Sequence, residues 1–540
     1  MGRVWHQNAV IYQIDPSRFY DSNGDGWGDL RGIIQKLDYI ASLGVTALWL
    51  TPFYRSPRRD NGYDVEDHLS IDPRLGEPED IDWLLAEARK RDIRVIIELV
   101  AQHTADTHYW FQEARKNAQG PYRDYYLWSK NGGPDEPKPM FPTVEPHIWR
   151  WDDEAQSHYR HLFYHHEPDL NLANPRVLHE VDRILAHWVD KGVAGFRIDA
   201  ASHMVEQAGN GDKAQGYRFF NHVHDLLARH HPQLMLLGEV DVNVDEFKDY
   251  FGDGDRLTTL LNFWINKNIF LALARENAGP LVAALNELPL PPEHGGYCFW
   301  LRNHDELDME DLSEEDFTFV MNKYAPDENM RIYGRGIRRR LAPMLEGDER
   351  HQALAHALLF SLPGTPALRY GAEIGMGDNL NQPEREAVRS PMQWRNAPGA
   401  GFSTANPADF VSPLIASGPY GYQKINVEEQ LGREDSLLHR IRRIAETWRT
   451  LPEVCYHHFQ PFTVPQQSVF AARYQGEGYA TLMFANLSPQ PVNVNSGELD
   501  LDGAVEILAD EPYPPVSREL ALNGYGYRWL RLRSLTASAA

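Results

Sequence analysis

Short, almost unbroken apolar runs alternate with stretches of helical periodicity between Val10 and Tyr370. Val10-Ile11-Tyr12 and Ala47-Leu48-Trp49-Leu50 read as the first two strands. Between them Ile33, Ile34, Leu37, Ile40 and Ala41 recur at the spacing of one helix face. Val95 to Val100 is a third strand, apolar except for Glu98, as a strand covered on both faces must be. Ala194 to Ile198, Leu234 to Leu237, Leu260 to Phe263, Tyr297 to Leu301 and Ala367 to Tyr370 complete a set of eight. Strands alternating with helices predict parallel βα units, and eight of them predict a closed (β/α)8 TIM barrel of α/β class.

Two regions break the pattern. Residues 104–170, after strand three, are rich in Tyr, Trp, His, Pro and Gly and lack long apolar runs. They predict a small inserted domain leaning over the strand ends. From residue 452 the periodicity shifts to short strands between turn residues, such as Val469-Phe470-Ala471, Leu482 to Ala485, Val505 to Leu508 and Tyr527 to Leu532. The expected organisation is therefore a barrel formed by 1–103 and 171–451, an inserted domain at 104–170, and a C-terminal antiparallel β-sandwich at 452–540. Ser534 to Ala540 reads as a loose tail.

Composition narrows the partners. The 540-residue chain carries 53 basic and 77 acidic side chains, a formal net charge of -24. That surplus argues against nucleic acid and anionic membranes and suits a small soluble ligand. Cys298 and Cys455 are the only cysteines and imply no disulfide framework. Met1 to Gln7 has no apolar stretch of a leader, and no run approaches membrane-spanning length, so a cytoplasmic protein is the expectation. Homo-oligomerisation is left open.

Three strand ends carry the candidate chemistry. Gly195-Phe196-Arg197-Ile198-Asp199-Ala200, Leu237-Gly238-Glu239 and Arg302-Asn303-His304-Asp305 each place a carboxylate just past a buried strand, where barrel enzymes keep their reactive groups. Retaining glycoside chemistry needs a carboxylate nucleophile and a second carboxyl about 5 Å away, acting as acid and then base. Asp199, beside Arg197, suits the nucleophile, because a guanidinium favours the ionised acid. Glu239 follows an apolar approach that should raise its pKa and suits the acid. Asp305 with His304 could grip two ring hydroxyls while the sugar flattens.

These segments resemble the alpha-amylase family of glycoside hydrolases, and the resemblance extends over essentially the whole chain. Its four strand-end regions are similar to Glu98 to His103, Gly195 to Ala200, Leu237 to Glu239 and Arg302 to Asp305. The resemblance implies Asp199 as nucleophile, Glu239 as general acid/base and Asp305 as transition-state stabiliser. It implies that His103, Arg197 and His304 bind the reacting glucose. Gly62-Tyr63-Asp64 also matches, with Tyr63 stacking on that sugar and Asp64 pairing with an arginine of a late loop, here Arg385. Such a pair would close a dead-end pocket acting at a non-reducing end. Phe163 and the neighbouring Trp110, Trp149, Trp151 and Tyr164 offer rings for sugar stacking. His165 and His166 lack further ligands at metal spacing.

Within the family, Tyr250 to Asp255, Leu301 to Leu307, Gly336 to Pro343, Gly375 to Asn379, Tyr420 to Gln423 and Gly524 to Trp529 are similar to the trehalose synthases, which are maltose–trehalose isomerases. The implied reaction is retaining α-glucosyl transfer on small α-glucosides, chiefly isomerisation of maltose to trehalose. The alternative is an exo-acting α-glucosidase or transglucosidase on maltose-like or sucrose-like disaccharides. Some positions depart from the family: Glu98 replaces Asp, Arg369 replaces an aromatic, and Asp15, Ala372 and His203-Met204 replace other residues. Gln102 stands where an Asn often ligates a calcium together with the counterpart of Asp169. A separate run, Asp21-Ser22-Asn23-Gly24-Asp25-Gly26-Trp27-Gly28-Asp29, spaces oxygen donors as a cation loop does. By resemblance Asp21, Asn23, Asp25, the Trp27 carbonyl and Asp29 hold a structural Ca2+ or Mg2+. No organic cofactor is implied.

Overall fold

The last barrel strand returns to the first: Ile11 is in register with Ala367, closing eight parallel strands into a ring. The computed structural model describes residues 4–454, 458–495, 501, 503–516 and 519–533. Cys455 and the tail from Ser534 lie outside the described residues. The barrel strands are β1 (Ile11–Ile14), β2 (Ala47–Leu50), β3 (Arg94–Leu99), β4 (Gly195–Ile198), β5 (Met235–Val240), β6 (Thr259–Asn262), β7 (Gly296–Trp300) and β8 (Thr365–Arg369). All eight predicted strands are present, the second with its expected bounds and the others with ends displaced by at most three residues.

Alternation along each strand sorts side chains between two apolar layers. Ile11, Trp49, Ile96, Leu237, Leu261, Cys298 and Trp300 fill the barrel interior. Phe196, Ile198, Leu236 and Leu260 point outward to the helices. The period of two that buries Phe196 and Ile198 outside turns Arg197 and Asp199 inward. Upstream, Asn174 caps the helix Pro175–Lys191 and Gly192, at φ 99°, ends it in the left-handed region before the chain enters β4. The helix expected over Ile33 to Ala41 is two short helices, Leu30–Gln35 and Leu37–Ser42, broken at Lys36.

The inserted segment contains the helix Tyr109–Lys116 and three short antiparallel strands, with Ser157–Arg160 between Trp128–Ser129 and Trp149–Asp152. A bridge between His103 and Asp169 ties it to the segment that follows β3, and one between Tyr126 and Leu170 closes it on itself. The C-terminal region is a five-stranded antiparallel sheet facing a two-stranded one, as expected of a sandwich. Val469, Leu482, Phe484 and Leu530 of the first sheet pack on Val494, Leu520 and Leu522 of the second. Among the described residues, no helix is long and apolar enough to cross a membrane.

Candidate active site

One guanidinium organises the strand ends. Arg197, fully buried on β4, places Nη1 2.5 Å from Asp199 Oδ1 and 2.9 Å from Glu98 Oε2, and Nη2 2.6 Å from Glu239 Oε1. Asp199 and Glu239 thus sit on the two arms of a single planar fork, which gathers the candidate nucleophile and acid at adjacent strand ends. Ala200 sits in the left-handed region, φ 51°, and its amide donates to Glu239 Oε2 at 2.8 Å. Such strain at a non-glycine residue persists only where surrounding contacts enforce it. Here it delivers a backbone donor to the second carboxyl.

Asp305 is held from the far side. Arg385 Nη1 and Arg389 Nη2 lie 2.7 and 2.9 Å from its Oδ1, and His304 Nε2 lies 3.2 Å from Oδ2. His304 is fixed by Gln13 at Nδ1 (2.9 Å) and by the Tyr63 hydroxyl at Nε2 (2.6 Å). The Tyr63 ring stacks on His304 with centroids 5.3 Å apart and donates its hydroxyl to Glu98 at 2.9 Å. Glu98 also accepts from Trp49 Nε1 at 2.8 Å. Its longer side chain therefore links Arg197, Tyr63 and Trp49 beneath the pocket. His103 lies on the same wall, with Nε2 3.1 Å from the Tyr63 carbonyl oxygen and its ring 5.3 Å from that of Phe163.

The pairing expected between Asp64 and Arg385 is not present. Arg385 Nη2 meets Asp60 Oδ1 at 3.0 Å instead. Asp64 is fully buried below and accepts from Ser56 Oγ (3.0 Å) and the amides of Arg59 (2.9 Å) and Asp60 (3.1 Å). The turn through Asn61 (φ 53°) and Gly62 (φ 104°) directs the earlier acid at the arginine and the later one into the loop's own amides.

Burial governs the electrostatics. Asp199 is pushed up to about 7, first by burial, with Arg197 pulling the other way. The expectation that the neighbouring guanidinium favours the ionised acid holds in direction but not in balance: Arg197 lowers the pKa, and desolvation in the enclosed site outweighs it. Glu239 is likewise raised to about 7 by burial, as its apolar approach suggested. Asp305 falls far below the usual carboxylate range: burial opposes this, but His304, Arg385 and Arg389 overcome it. Burial keeps His103 and His304 below their ordinary value.

A cavity of about 110 Å³ opens onto Glu239 and Asp305 and is lined by Phe141, Phe163, Glu306 and Arg385 among others. Asp241, two residues past Glu239, also lines it and is pushed up to about 7, chiefly by burial. Lys267 Nζ, almost fully buried, sits 3.3 Å from Asp241 and 3.8 Å from Asp308. Sequence reasoning missed Asp60, Arg389, Asp241 and Lys267. The available signal for Lys267 was a cation in the middle of an otherwise uncharged stretch of the helix Phe263–Arg275, which is buried along most of its length. Of the aromatic residues of the inserted domain, Phe163 reaches the cavity, as does Phe141, which the sequence did not single out. Trp110 packs on His108 and His68, and Trp151 is 44% exposed beside His158.

The cation loop uses its donors on itself. Asp21 Oδ1 accepts the amides of Asn23 (3.0 Å) and Gly24 (2.7 Å), and Asp25 Oδ1 accepts that of Trp27 (2.8 Å). Asp29 accepts the Ser22 amide at 2.8 Å. Among the described residues, no three His, Cys, Asp or Glu side chains converge as a preformed metal site. At Asp169 the chain supplies its own cation: Arg160 Nη1 lies 2.6 Å from Oδ2, and Gln102 Nε2 and the Leu162 amide donate to Oδ1 at 3.0 and 3.1 Å. Those residues do not fit a second calcium.

A model of the alpha-amylase catalytic domain matches residues 13–287 and 328–454. A trehalose synthase of Pimelobacter sp. strain R48 is 38% identical, covering 98% of this chain and 96% of its own. A glucan 1,6-alpha-glucosidase of Streptococcus pneumoniae serotype 4 is 32% identical over 83% of this chain and 84% of its own. Among solved structures, an alpha-amylase from H. orenii superposes with a TM-score of 0.81 at 26% identity, covering 98% of this chain and 100% of that one. An isomaltulose synthase from Protaminobacter rubrum shares the fold, with a TM-score of 0.80 at 24% identity, covering 99% and 100% of the two chains. The catalytic-domain match across the barrel and the near-full-length likeness to the Pimelobacter enzyme place the chain in the alpha-amylase family.

Proposed function

We propose that this enzyme transfers α-glucosyl groups with retention and that its principal reaction isomerises maltose to trehalose. The observation that carries the chemistry is the single guanidinium of Arg197 spanning Asp199 and Glu239, with Asp305 anchored opposite by Arg385 and Arg389. An Asp199 oxygen attacks the anomeric carbon as the glycosidic C–O bond breaks, and the Glu239 proton passes to the leaving oxygen. Asp199 and Glu239 titrate in one range and share one negative charge near neutrality. Arg197 lies within 2.6 Å of both acids, and the reaction proceeds from the form with the charge on Asp199 and the proton on Glu239. Asp305, ionised throughout, offsets positive charge developing on the sugar ring. Released glucose then turns and attacks the glucosyl carbon through its anomeric hydroxyl, whose proton returns to Glu239, freeing Asp199.

In this reading His103, Arg197 and His304 hold the glucose, Tyr63 backs it, and Asp60 with Arg385 closes its far side. The partner is a small sugar, and the cytoplasm is the proposed compartment. The oxygen-only donor set of Asp21, Asn23, Asp25, the Trp27 carbonyl and Asp29 suits a structural Ca2+ or Mg2+, reached when the carboxylates exchange loop amides for the ion. Gly24 and Gly26, at φ 81° and 95°, wind the loop as such a site requires.

The deciding experiment follows anomeric protons by NMR during incubation with maltose. Trehalose with little free glucose supports the isomerase. Glucose as the main product assigns the enzyme to the α-glucosidases instead.

A further inference from the structure

Two residues with left-handed backbones meet above the pocket, although neither is glycine: Tyr333 at φ 55° and Glu384 at φ 41°. Each conformation is costly for an L side chain. The strained residues are joined directly, the Tyr333 hydroxyl donating to Glu384 Oε1 at 2.7 Å. Tyr164 of the inserted domain donates to the same oxygen at 3.1 Å. Three segments far apart in sequence thus converge on one carboxylate atom: the inserted domain, the excursion after β7 and the loop after β8.

Their rings form a small apolar cluster separate from the main core. Phe141, Tyr164, Ile332 and Tyr333 pack together, with Phe141 centroids 4.5 Å from Tyr164 and 4.9 Å from Tyr333. Phe141 lines the active cavity, and the Arg385 guanidinium lies 4.6 Å over its ring. The same excursion grips both neighbours through backbone oxygens. Arg335 donates to the Met140 carbonyl at 2.9 Å, and Arg338 donates to those of Leu380 (2.7 Å) and Glu384 (3.0 Å). The catalytic steps use none of Tyr164, Tyr333 or Glu384.

We propose that Tyr164 and Tyr333, gathered on Glu384, latch three loops over the pocket and set the ratio of glucosyl transfer to hydrolysis by retaining released glucose and excluding water. The inference rests on the isomerase reading. After the first displacement the glucosyl carbon bonded to Asp199 accepts an oxygen either from glucose, giving trehalose, or from water, giving glucose. In both cases the proton of the attacking hydroxyl passes to Glu239 and Asp199 leaves. The chemistry is identical, so the partition depends on which acceptor occupies the closed space.

The test compares the parent enzyme with Glu384→Ala, Glu384→Gln and Tyr333→Phe on maltose in the presence of carbon-13 glucose. Glu384→Ala, which removes both hydrogen bonds, should raise free glucose per trehalose by more than the factor of about ten that one hydrogen bond to a charged group carries. It should also raise label incorporation into trehalose, because retained glucose now exchanges with the medium. Glu384→Gln, whose carbonyl oxygen still accepts both hydroxyls, should stay near the parent. Tyr333→Phe should shift both readouts in the same direction by less, and it carries the test if Glu384→Ala fails to fold. A merely structural role would lower both products together at constant ratio. A parent-like ratio and labelling in Tyr333→Phe and in a folded Glu384→Ala, with trehalose still formed, overturns the latch alone. A parent enzyme that forms no trehalose overturns the isomerase reading and the latch with it.

Discussion

Arg385 reaches Asp60 at 3.0 Å, while Asp64, four residues further along the same turn, points away into buried amides. Two neighbouring acids therefore have separable tasks. Asp60→Asn removes the charge that orients Arg385 against the glucose and Asp305. It should lower kcat/KM on maltose by about 10- to 100-fold with little change in melting temperature. Asp64→Ala should instead lower the melting temperature, because it strands the buried amides of Arg59 and Asp60, at about 1–3 kcal/mol for each unsatisfied group. Steady-state kinetics and thermal melts on both variants check the assignment. Equal melting losses with unchanged kinetics for Asp60→Asn would contradict it.

Asp199→Asn should abolish turnover, by about 10⁴- to 10⁶-fold as for other enzymes stripped of their nucleophile. Its stability should move the opposite way. Folding raises the Asp199 pKa to about 7, so between about pH 4 and 7 the folded chain binds a proton that the unfolded chain has released. Stability conferred by this group thus declines as pH rises through that window. The asparagine variant escapes the penalty and should melt about 1–3 °C above the parent at pH 8, with the gap closing by pH 5. Scanning calorimetry at the two pH values reads the difference, and a gap that widens toward acid would contradict the burial argument.

The pair as a unit should shape activity. Double displacement needs one proton on the Asp199–Glu239 pair, and both groups are raised to about 7 in the free enzyme. The profile of kcat/KM should be a bell centred near neutrality, its limbs belonging to the pair rather than to either residue. Asp305 should contribute no limb, since its two arginines and His304 keep it ionised. A profile flat from pH 5 to 9 would contradict this account.

The three acids are legible in the chain because each closes an apolar strand run, and backbone alternation alone decides that they face the barrel axis. The barrel, the inserted domain and the C-terminal sandwich are legible on the same ground, since periodicity reports which faces are buried. The partner of Arg385 is not. Asp60 and Asp64 flank the same Gly62-Tyr63, and the choice depends on two positive φ values that no spacing encodes. The ionisation of Asp199 is not legible either, because it balances burial against a guanidinium and both terms exist only after folding. Gln102 gives a partial signal. It argues against a second calcium, but the replacement cation, Arg160, lies 58 positions away and becomes visible only when the two segments pair around Asp169.

The two acidic sites should consequently respond differently to chelation. In the loop from Asp21 to Asp29 both of these acids are buried, and burial first, with the like charge of Asp21 adding a smaller part, raises the Asp29 pKa. A bound divalent cation would relieve that repulsion and stabilise the folded chain by mass action. Treatment with a chelator should lower the melting temperature by about 5 °C, and added Ca2+ should restore it. Asp21→Asn should start low and lose both responses. Arg160→Ala, by contrast, leaves the buried Asp169 carboxylate without its counter-charge and should destabilise the protein by about 3–5 kcal/mol, with no rescue by Ca2+. Thermal melts of the parent and both variants, with and without chelator and with added calcium, separate the sites. A chelator-insensitive parent would exclude a stabilising ion in the first loop, and calcium rescue of Arg160→Ala would show that Asp169 accepts a metal after all.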